Sequence, residues 1–237
     1  MLRAWIEGVA ARVPSRCEVC RGWPARPVCA DCETRFAAPV SRCVRCASPL
    51  GTGAGSQPSA CSQCLREPPP FDACLAAVCY SFPWTDLIAR FKFRGEPGWA
   101  APLAALMRRA AGVEEALRAT RLVLPLTLGP RRLAERGYNQ ALELARRLAP
   151  DRVDARILVR VRETSPQSDL DLAQRLHNVR EAFAVDAARA RRLRGASVVV
   201  VDDVMTSGAS VAAATRALKT AGAARVIAVV LARTAPA

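Results

Sequence analysis

The chain has 237 residues, of which 51% are hydrophobic, so it can form one α/β domain with a sizeable core and a smaller module besides. Its formal net charge of +14 comes almost entirely from arginine and favours partners that carry phosphate. No apolar run reaches the length of a secretory signal or a transmembrane helix, and we therefore expect a cytoplasmic protein without a membrane span.

Eight of the ten cysteines form four C-x-x-C pairs within the first 66 residues. This spacing lets two thiolates of one turn reach the same tetrahedral Zn²⁺. The segment has few large apolar residues and no export signal precedes it, which favours metal over disulfides. We predict two structural zinc ions, held by Cys17, Cys20, Cys29, Cys32, Cys43, Cys46, Cys61 and Cys64. The spacing allows either a sequential partition of the pairs or a cross-braced one, in which the first pair joins the third.

The run Glu67-Pro68-Pro69-Pro70 is a stiff break in the chain. We place a domain boundary there, with an N-terminal helix and double zinc ribbon over residues 1–66 and a second domain over residues 71–237. The helix is predicted from the spacing of Leu2, Trp5, Ile6 and Val9. Arginines beside Trp23 and Phe36 in the ribbon suit single-stranded nucleic acid, through phosphate contact and base stacking, but they equally suit a solvated ribbon.

Hydrophobic strands alternate with helices through the second domain. Strands are predicted over residues 76–82, 121–126, 156–161, 198–202 and 224–231. Helices are predicted over residues 84–93, 100–119, 138–148, 171–179 and 211–221. Such alternation favours a mostly parallel sheet covered by helices on both faces, with ligands binding outside the carboxyl ends of the strands.

The clearest chemistry lies in the segment Val198–Ser210, VVVVDDVMTSGAS. Four consecutive valines predict a strand buried on both faces, and a loop of small and hydroxyl residues then leads into a helix. Backbone N–H groups of such a loop and the helix N-terminus attract phosphate, and paired acids can hold ribose hydroxyls with Mg²⁺ nearby. No Gly-Lys-Ser/Thr follows, which excludes a Walker loop. The segment resembles the signature by which type I phosphoribosyltransferases bind 5-phosphoribosyl-1-pyrophosphate (PRPP), with Ser207 and Ser210 in place of threonine. The predicted PRPP-binding residues are Asp202, Asp203, Met205, Thr206, Ser207, Gly208, Ala209 and Ser210.

Two further stretches offer cations and polar groups. Arg131, Arg132 and Arg136 follow the strand predicted at 121–126, where they could receive a pyrophosphate leaving group. Arg162 and Gln167 belong to a polar loop that can close over substrate or instead pin the following helix. Each of these side chains also fits an ordinary solvated surface.

These stretches in this order resemble the ComF family of competence-associated proteins. The motifs that carry the resemblance are the C-x-x-C ladder, Phe91-Lys92-Phe93-Arg94-Gly95, Arg136-Gly137-Tyr138-Asn139-Gln140, Arg162-x-Thr164-x-x-Gln167, Arg175-x-x-Asn178 and Asp202-Asp203. The resemblance implies a type I phosphoribosyltransferase-like α/β fold with a zinc ribbon, PRPP at the acidic motif, and a role in natural competence or the handling of single-stranded DNA beside competence-machinery proteins.

Two functions remain open at this point. As an enzyme the chain would transfer the phosphoribosyl group to a nucleobase or another small acceptor of nucleotide metabolism, with Asp202 and Asp203 as the catalytic pair. As a binding module it would sense PRPP or a nucleotide end while the ribbon holds DNA. Both require the same ligand site, because binding and catalysis are separable properties of one site.

Overall fold

The computed structural model describes residues 15–51, 59–161 and 182–235. The predicted N-terminal helix, the loop carrying Arg162 and Gln167, and the helix predicted over 171–179 lie outside these residues. The chain divides into two compact units, Met1–Ala38 and Pro39–Ala237. The domain boundary predicted at residues 67–70 is a statement about which segments fold independently. The division into compact units does not test independent folding, so this boundary stays a prediction.

The described part of the first unit, residues 15–38, contains a tight turn followed by a helix. Ser15 and Ala25 form an isolated antiparallel bridge, which closes the turn that contains the first cysteine pair. The helix Ala30–Phe36 follows, and Cys29 caps it by accepting a hydrogen bond from the backbone N–H of Cys32. The capping residue is thus also one of the predicted metal ligands.

The second unit contains a four-stranded parallel sheet with the strand order β1-β6-β5-β2. Two further strands, β3 and β4, pair antiparallel in a separate ribbon. In chain order the strands are β1 (Ala73–Cys79), β2 (Leu122–Pro125), β3 (Leu158–Arg160), β4 (Phe183–Val185), β5 (Ser197–Met205) and β6 (Arg225–Arg233). The sheet confirms the predicted α/β, phosphoribosyltransferase-like architecture.

Helices connect the strands of the second unit. The α-helices are Ser62–Arg66, Trp84–Phe93, Ala100–Arg109, Val113–Arg118, Pro130–Arg136, Gln140–Leu148 and Ala209–Thr220, and short 3₁₀ turns lie at Pro97–Trp99 and Ala190–Leu193. The predicted continuous helix over 100–119 is interrupted because Gly112 adopts a left-handed conformation with φ of 80°. The strand predicted over 156–161 is β3, and it lies outside the main sheet because it pairs with β4 instead.

The central strand β5 lies between β2 and β6. Val198, Val199, Val200 and Val201 have no exposed surface, as expected for a strand covered on both faces. Val198 and Val200 pack in one cluster with apolar residues of the helix Ala209–Thr220. The strand continues past its predicted end to Met205, because the parallel ladder with β6 extends that far. The two acids therefore lie within the strand, near its carboxyl end.

Among the described residues, no helix combines the length and the apolar character needed to cross a lipid bilayer.

Candidate functional site

A pocket of about 190 Å³ opens at the carboxyl ends of β2 and β5. Parallel sheets of this kind bind ligands at this edge. The pocket is lined by Lys92, Leu126, Thr127, Leu128, Arg132, Arg136, Asn139, Gln140, Ala141, Arg160, Asp202, Asp203, Val204, Thr206 and Ser210. One cavity is thus lined by the acidic pair, by part of the loop Thr206–Ser210 (the phosphate loop below), and by two of the predicted arginines.

The two acids have different surroundings. Asp203 is 6% exposed, and its Oδ1 lies 2.8 Å from Nζ of Lys92. Asp202 Oδ1 accepts a hydrogen bond from the backbone N–H of Asp203 at 2.8 Å. Burial, together with the negative charge of Asp203, raises the pKa of Asp202 to about 8, while Lys92 opposes the shift. The carboxylate of Asp203 is therefore paired with a cation, and the raised pKa of Asp202 keeps its carboxyl group protonated near neutral pH.

The loop after β5, Thr206–Ser210, turns at Gly208, directly before the helix Ala209–Thr220. Gly208 has φ of 79°, and a Cβ at this position would lie 3.3 Å from Cε of Met205. The positive φ therefore favours glycine, and a Cβ would in addition displace the flexible Met205 side chain by a few tenths of an ångström. Thr206 and Ser210 line the pocket, whereas Ser207 Oγ accepts a hydrogen bond from the N–H of Ala209 at 3.3 Å. Met205 is buried beneath the loop.

The predicted pyrophosphate arginines separate into two groups. Arg132 and Arg136 line the pocket. Arg131 instead pairs with Glu135 along the exposed surface of the helix Pro130–Arg136, at 3.1 Å. All three arginines lie on this short helix, which Pro130 begins. Arg162 and Gln167 lie outside the described residues.

Two motifs distant in the sequence contact each other beside the pocket. The rings of Phe91 and Tyr138 lie 5.7 Å apart, and the hydroxyl of Tyr138 donates a hydrogen bond to the carbonyl oxygen of Phe91. The guanidinium of Arg136 lies over the ring of Phe93 at 5.2 Å. These contacts hold the helix that carries Lys92 against the segment that leads into the helix Gln140–Leu148.

Gln140 and Thr127 place unpartnered polar atoms at the pocket. Gln140 is 1% exposed, and its Oε1 accepts a hydrogen bond from Nη1 of Arg136 at 3.0 Å. Its Nε2 and the Oγ1 of Thr127 have no hydrogen-bond partner within the described part of the protein. Buried polar groups in folded proteins are nearly always paired, so these two atoms fit a polar ligand in the pocket.

Sequence reasoning assigned no role at the site to Lys92, Thr127, Asn139, Gln140 or Arg160. Lys92 carried a usable signal, because it is one of only two lysines among 35 basic residues. Asn139 accepts a hydrogen bond from the N–H of Leu142 as a helix N-cap and donates one to the carbonyl oxygen of Leu126 at 3.0 Å. The position of Asn139 at the start of a predicted helix could therefore have indicated an N-cap. Its hydrogen bond to Leu126 at the end of β2, however, depends on the fold.

The eight paired cysteines form two clusters, and the grouping is sequential. In each cluster the four Sγ atoms lie within 4.8 Å of one another, and each cluster could hold one metal ion. The first cluster contains Cys17, Cys20, Cys29 and Cys32, and the second contains Cys43, Cys46, Cys61 and Cys64. Cys74 is buried outside both clusters, and burial raises the pKa of its thiol to about 12. Four thiolates at this separation are a donor set that suits tetrahedral Zn²⁺.

Comparison with known proteins agrees with this fold. Residues 133–236 match the family model of the phosphoribosyl transferase domain. The second unit accordingly contains a phosphoribosyltransferase-type domain. A weak similarity, with a TM-score of 0.36 and 14% identity over 60% of this chain and 29% of the other, links it to a solved structure described as the allosteric regulatory enzyme of purine biosynthesis.

Curated relatives match nearly the whole chain. It is 33% identical over 226 residues to the DNA utilization protein YhgH of Salmonella typhi, covering 90% of this chain and 95% of the relative. It is 30% identical over 228 residues to the protein of the same name from Escherichia coli K12, with the same coverage. It is also 30% identical over 220 residues to Competence protein F of Haemophilus influenzae, covering 87% of this chain and 92% of the relative. The chain belongs to the ComF/YhgH family of DNA utilization and competence proteins with a phosphoribosyltransferase domain.

Proposed function

We propose that the protein binds PRPP with Mg²⁺ in the pocket at the end of β5 and couples this binding to the handling of single-stranded DNA. The observation that carries the proposal is the convergence on one pocket of an acidic pair, a glycine-containing hydroxyl loop and two arginines. The unpartnered polar atoms of Thr127 and Gln140 support a ligand rich in oxygen.

Each part of the ligand finds complementary groups in the pocket. Asp202 and Asp203 would accept hydrogen bonds from the ribose hydroxyls, and carboxylate oxygens of this kind suit Mg²⁺. The loop Thr206–Ser210 lies at the N-terminus of the helix Ala209–Thr220 and would hold the 5′-phosphate. Arg132 and Arg136 would receive the pyrophosphate, with Gln140 Nε2 as a further donor. Arg162 and Gln167 remain predicted contributors from outside the described residues.

An active phosphoribosyltransferase is the second candidate, and one observation favours it. Phe93 is 69% exposed beside the pocket, and Arg136 lies over its ring. An exposed aromatic face next to the ribose site is a surface on which a planar acceptor can stack. Catalysis would then break the bond between C1 of ribose and pyrophosphate, while the arginines stabilise the charge that develops on the leaving group.

Release of pyrophosphate from PRPP distinguishes the two candidates. The purified protein is incubated with Mg²⁺ and PRPP alone, with single nucleobases, and with single-stranded DNA. Release that requires an acceptor would establish the transferase. Binding by calorimetry without release under any condition would establish the binding module, and absence of binding would reject both.

The DNA-handling part of the proposal draws on the relatives' names and on the charge of the chain. The formal net charge is +14. In the first unit Trp23 is 64% exposed, and Arg35 lies over the ring of Phe36 at 5.3 Å. Exposed aromatic rings among arginines can stack bases while the cations contact phosphates. We expect affinity for a single-stranded oligonucleotide to fall steeply with salt and to weaken in Trp23→Ala, whereas Phe82→Ala, an exposed aromatic of the second unit, is the control.

Zinc is the metal that we propose for both cysteine clusters. Each cluster offers four sulfur ligands, a donor set that suits structural Zn²⁺. The bound metal would supply folding free energy to segments that contain few large apolar side chains.

A further inference from the structure

A buried arginine connects the second cysteine cluster to the phosphate loop. Arg233 ends β6 and is 4% exposed, and no other arginine in the described ranges is buried. In the parallel ladder it pairs with Met205, the last residue of β5. A guanidinium charge thus lies inside the second unit, directly beneath the loop Thr206–Ser210.

The guanidinium of Arg233 donates hydrogen bonds both to the base of the loop Thr206–Ser210 and to residues at the second cysteine cluster. Nη1 donates to the carbonyl oxygen of Met205 at 3.2 Å and to that of Thr206. Nε donates to the carbonyl oxygen of Cys46 at 3.0 Å, and Nη2 donates to Oγ of Ser48 at 2.9 Å. Oγ of Ser48 also lies 3.3 Å from Sγ of Cys46, and its O–H would donate a hydrogen bond to that sulfur when Cys46 is a metal-bound thiolate. One side chain therefore fixes a metal-ligating residue and the first residue of the loop.

Apolar packing joins the same two parts of the molecule. Met205 belongs to a buried cluster that includes Cys43, Cys46 and Cys64. A Cβ added to Gly208 would lie 3.3 Å from Cε of Met205, so the Met205 side chain also contacts the loop at Gly208. Because a packed interior transmits small shifts, movement of the second cluster would reach the loop through Met205 as well.

Among the residues that the structure describes, Arg233 has no acidic partner. Its hydrogen bonds go to carbonyl and hydroxyl oxygens, and no carboxylate of the described residues forms an ion pair with it. A buried cation without a counter-charge is costly. Four thiolates around one Zn²⁺ leave a net charge of about −2. A metal-loaded second cluster therefore supplies the negative charge that the surroundings of Arg233 otherwise lack.

We propose that Arg233 is a positioning residue through which metal loading of the second cluster sets the affinity of the phosphate loop. The ligand in this inference rests on the proposed function, whereas the coupling of cluster to loop does not. With metal bound, Cys46 and Ser48 hold Arg233, and Arg233 holds the carbonyl groups of Met205 and Thr206. The loop is then preorganised for phosphate, which reduces the ordering cost of binding.

A matched pair of cysteine variants tests the coupling. Cys29 and Cys61 are both half-buried, and each is the N-cap residue of a short helix, one in each cluster. We expect Cys29→Ser and Cys61→Ser each to lose one zinc ion. Cys61→Ser should also accelerate amide hydrogen exchange over residues 205–212 of the ligand-free protein and weaken PRPP binding about tenfold. Cys29→Ser should leave both unchanged.

Two variants that retain every cysteine keep the test decisive if Cys61→Ser does not fold. Ser48→Ala and Arg233→Lys should retain two zinc ions, exchange faster over residues 205–212 and bind PRPP more weakly. Unchanged exchange over the loop in both variants would overturn the coupling. If the wild-type protein does not bind PRPP, the proposed function fails, and hydrogen exchange still decides whether the cluster supports the loop.

Discussion

Lys92 Nζ lies 2.8 Å from Asp203 Oδ1, and this ion pair joins the last turn of the helix Trp84–Phe93 to the acidic end of β5. The two side chains are 15% and 8% exposed, so the pair is largely removed from water. Lys92 thereby neutralises one of two adjacent carboxyl groups that would otherwise repel each other at the mouth of the pocket.

Replacing Lys92 with Met should destabilise the protein by about 3 kcal/mol, because it leaves the buried carboxylate of Asp203 without its cation. The other lysine provides a matched control. Lys219 pairs with Asp72 at 3.2 Å, but these side chains are 36% and 35% exposed. Lys219→Met should cost less than about 1 kcal/mol. Urea unfolding of both variants measures the difference, and equal losses would show that the Lys92 pair is no more than a surface contact.

The raised pKa of Asp202 predicts that PRPP binding strengthens as the pH rises through about 8. Below that pH Asp202 holds a proton, and a neutral carboxyl is a poorer acceptor for ribose hydroxyls and a poorer partner for Mg²⁺. Each pH unit below the pKa should reduce affinity by up to about tenfold. Calorimetry from about pH 6.5 to 9 measures the slope, which should be shallower in Asp202→Asn, since that variant retains only the titration of the ligand.

The same shift has a consequence for folding. In the unfolded chain the carboxyl has its ordinary pKa of 3.8, whereas in the folded protein the pKa is raised to about 8. Between these values the folded state binds more protons, so the free energy of unfolding should fall as the pH rises. Asp202→Asn should remove this part of the pH dependence in urea unfolding, and an unchanged profile would mean that Asp202 is ionised throughout.

Gln140→Met should separate stability from binding. Met has nearly the same length but no amide, so it removes both the buried Nε2 that lacks a partner and the Oε1 that accepts a hydrogen bond from Arg136. Because the gain from the first offsets the loss of the second, stability should stay within about 1 kcal/mol of wild type. PRPP binding should weaken about tenfold, because a hydrogen bond to a charged ligand is lost.

Thr215→Val is the control for the Gln140 variant. Thr215 has no exposed surface and a hydroxyl without a partner among the described residues, but it does not line the pocket. It should leave PRPP affinity unchanged. An equal loss of affinity in both variants would point to a general disturbance of the domain rather than to a contact with the ligand.

Metal content should be two zinc ions per chain in protein purified without chelator. Cys79→Ser should retain both, because Cys79 lies outside the two clusters. Metal analysis by mass spectrometry provides the count, and a value near zero for the wild type would reject the metal assignment.

Local patterns predicted the parts of the site that depend on neighbouring residues. Four consecutive valines predicted a strand covered on both faces, and all four are fully buried. The helix predicted over residues 84–93 has the predicted ends, because Pro83 precedes it and Arg94-Gly95 follows it. The small and hydroxyl residues after the acidic pair likewise predicted a loop over residues 206–210, and within it Gly208 has the positive φ that only glycine adopts readily.

Contacts between distant segments could not be predicted in this way. Lys92 and Asp203 meet only because the helix Trp84–Phe93 lies beside the end of β5. The spacing of the cysteine pairs is compatible with two partitions, and only their positions in space select the sequential one. The buried contacts of Arg233 depend in the same way on the parallel pairing of β6 with β5, which no local pattern encodes.

Calorimetric titration of the intact protein with PRPP and Mg²⁺ tests the central claim most directly. The wild-type protein should bind one PRPP per chain, and the double variant Asp202→Asn/Asp203→Asn, shown to be folded by circular dichroism, should lose that binding. Equal affinity in the two proteins, or no binding by the wild type, would contradict the assignment of the pocket at the end of β5.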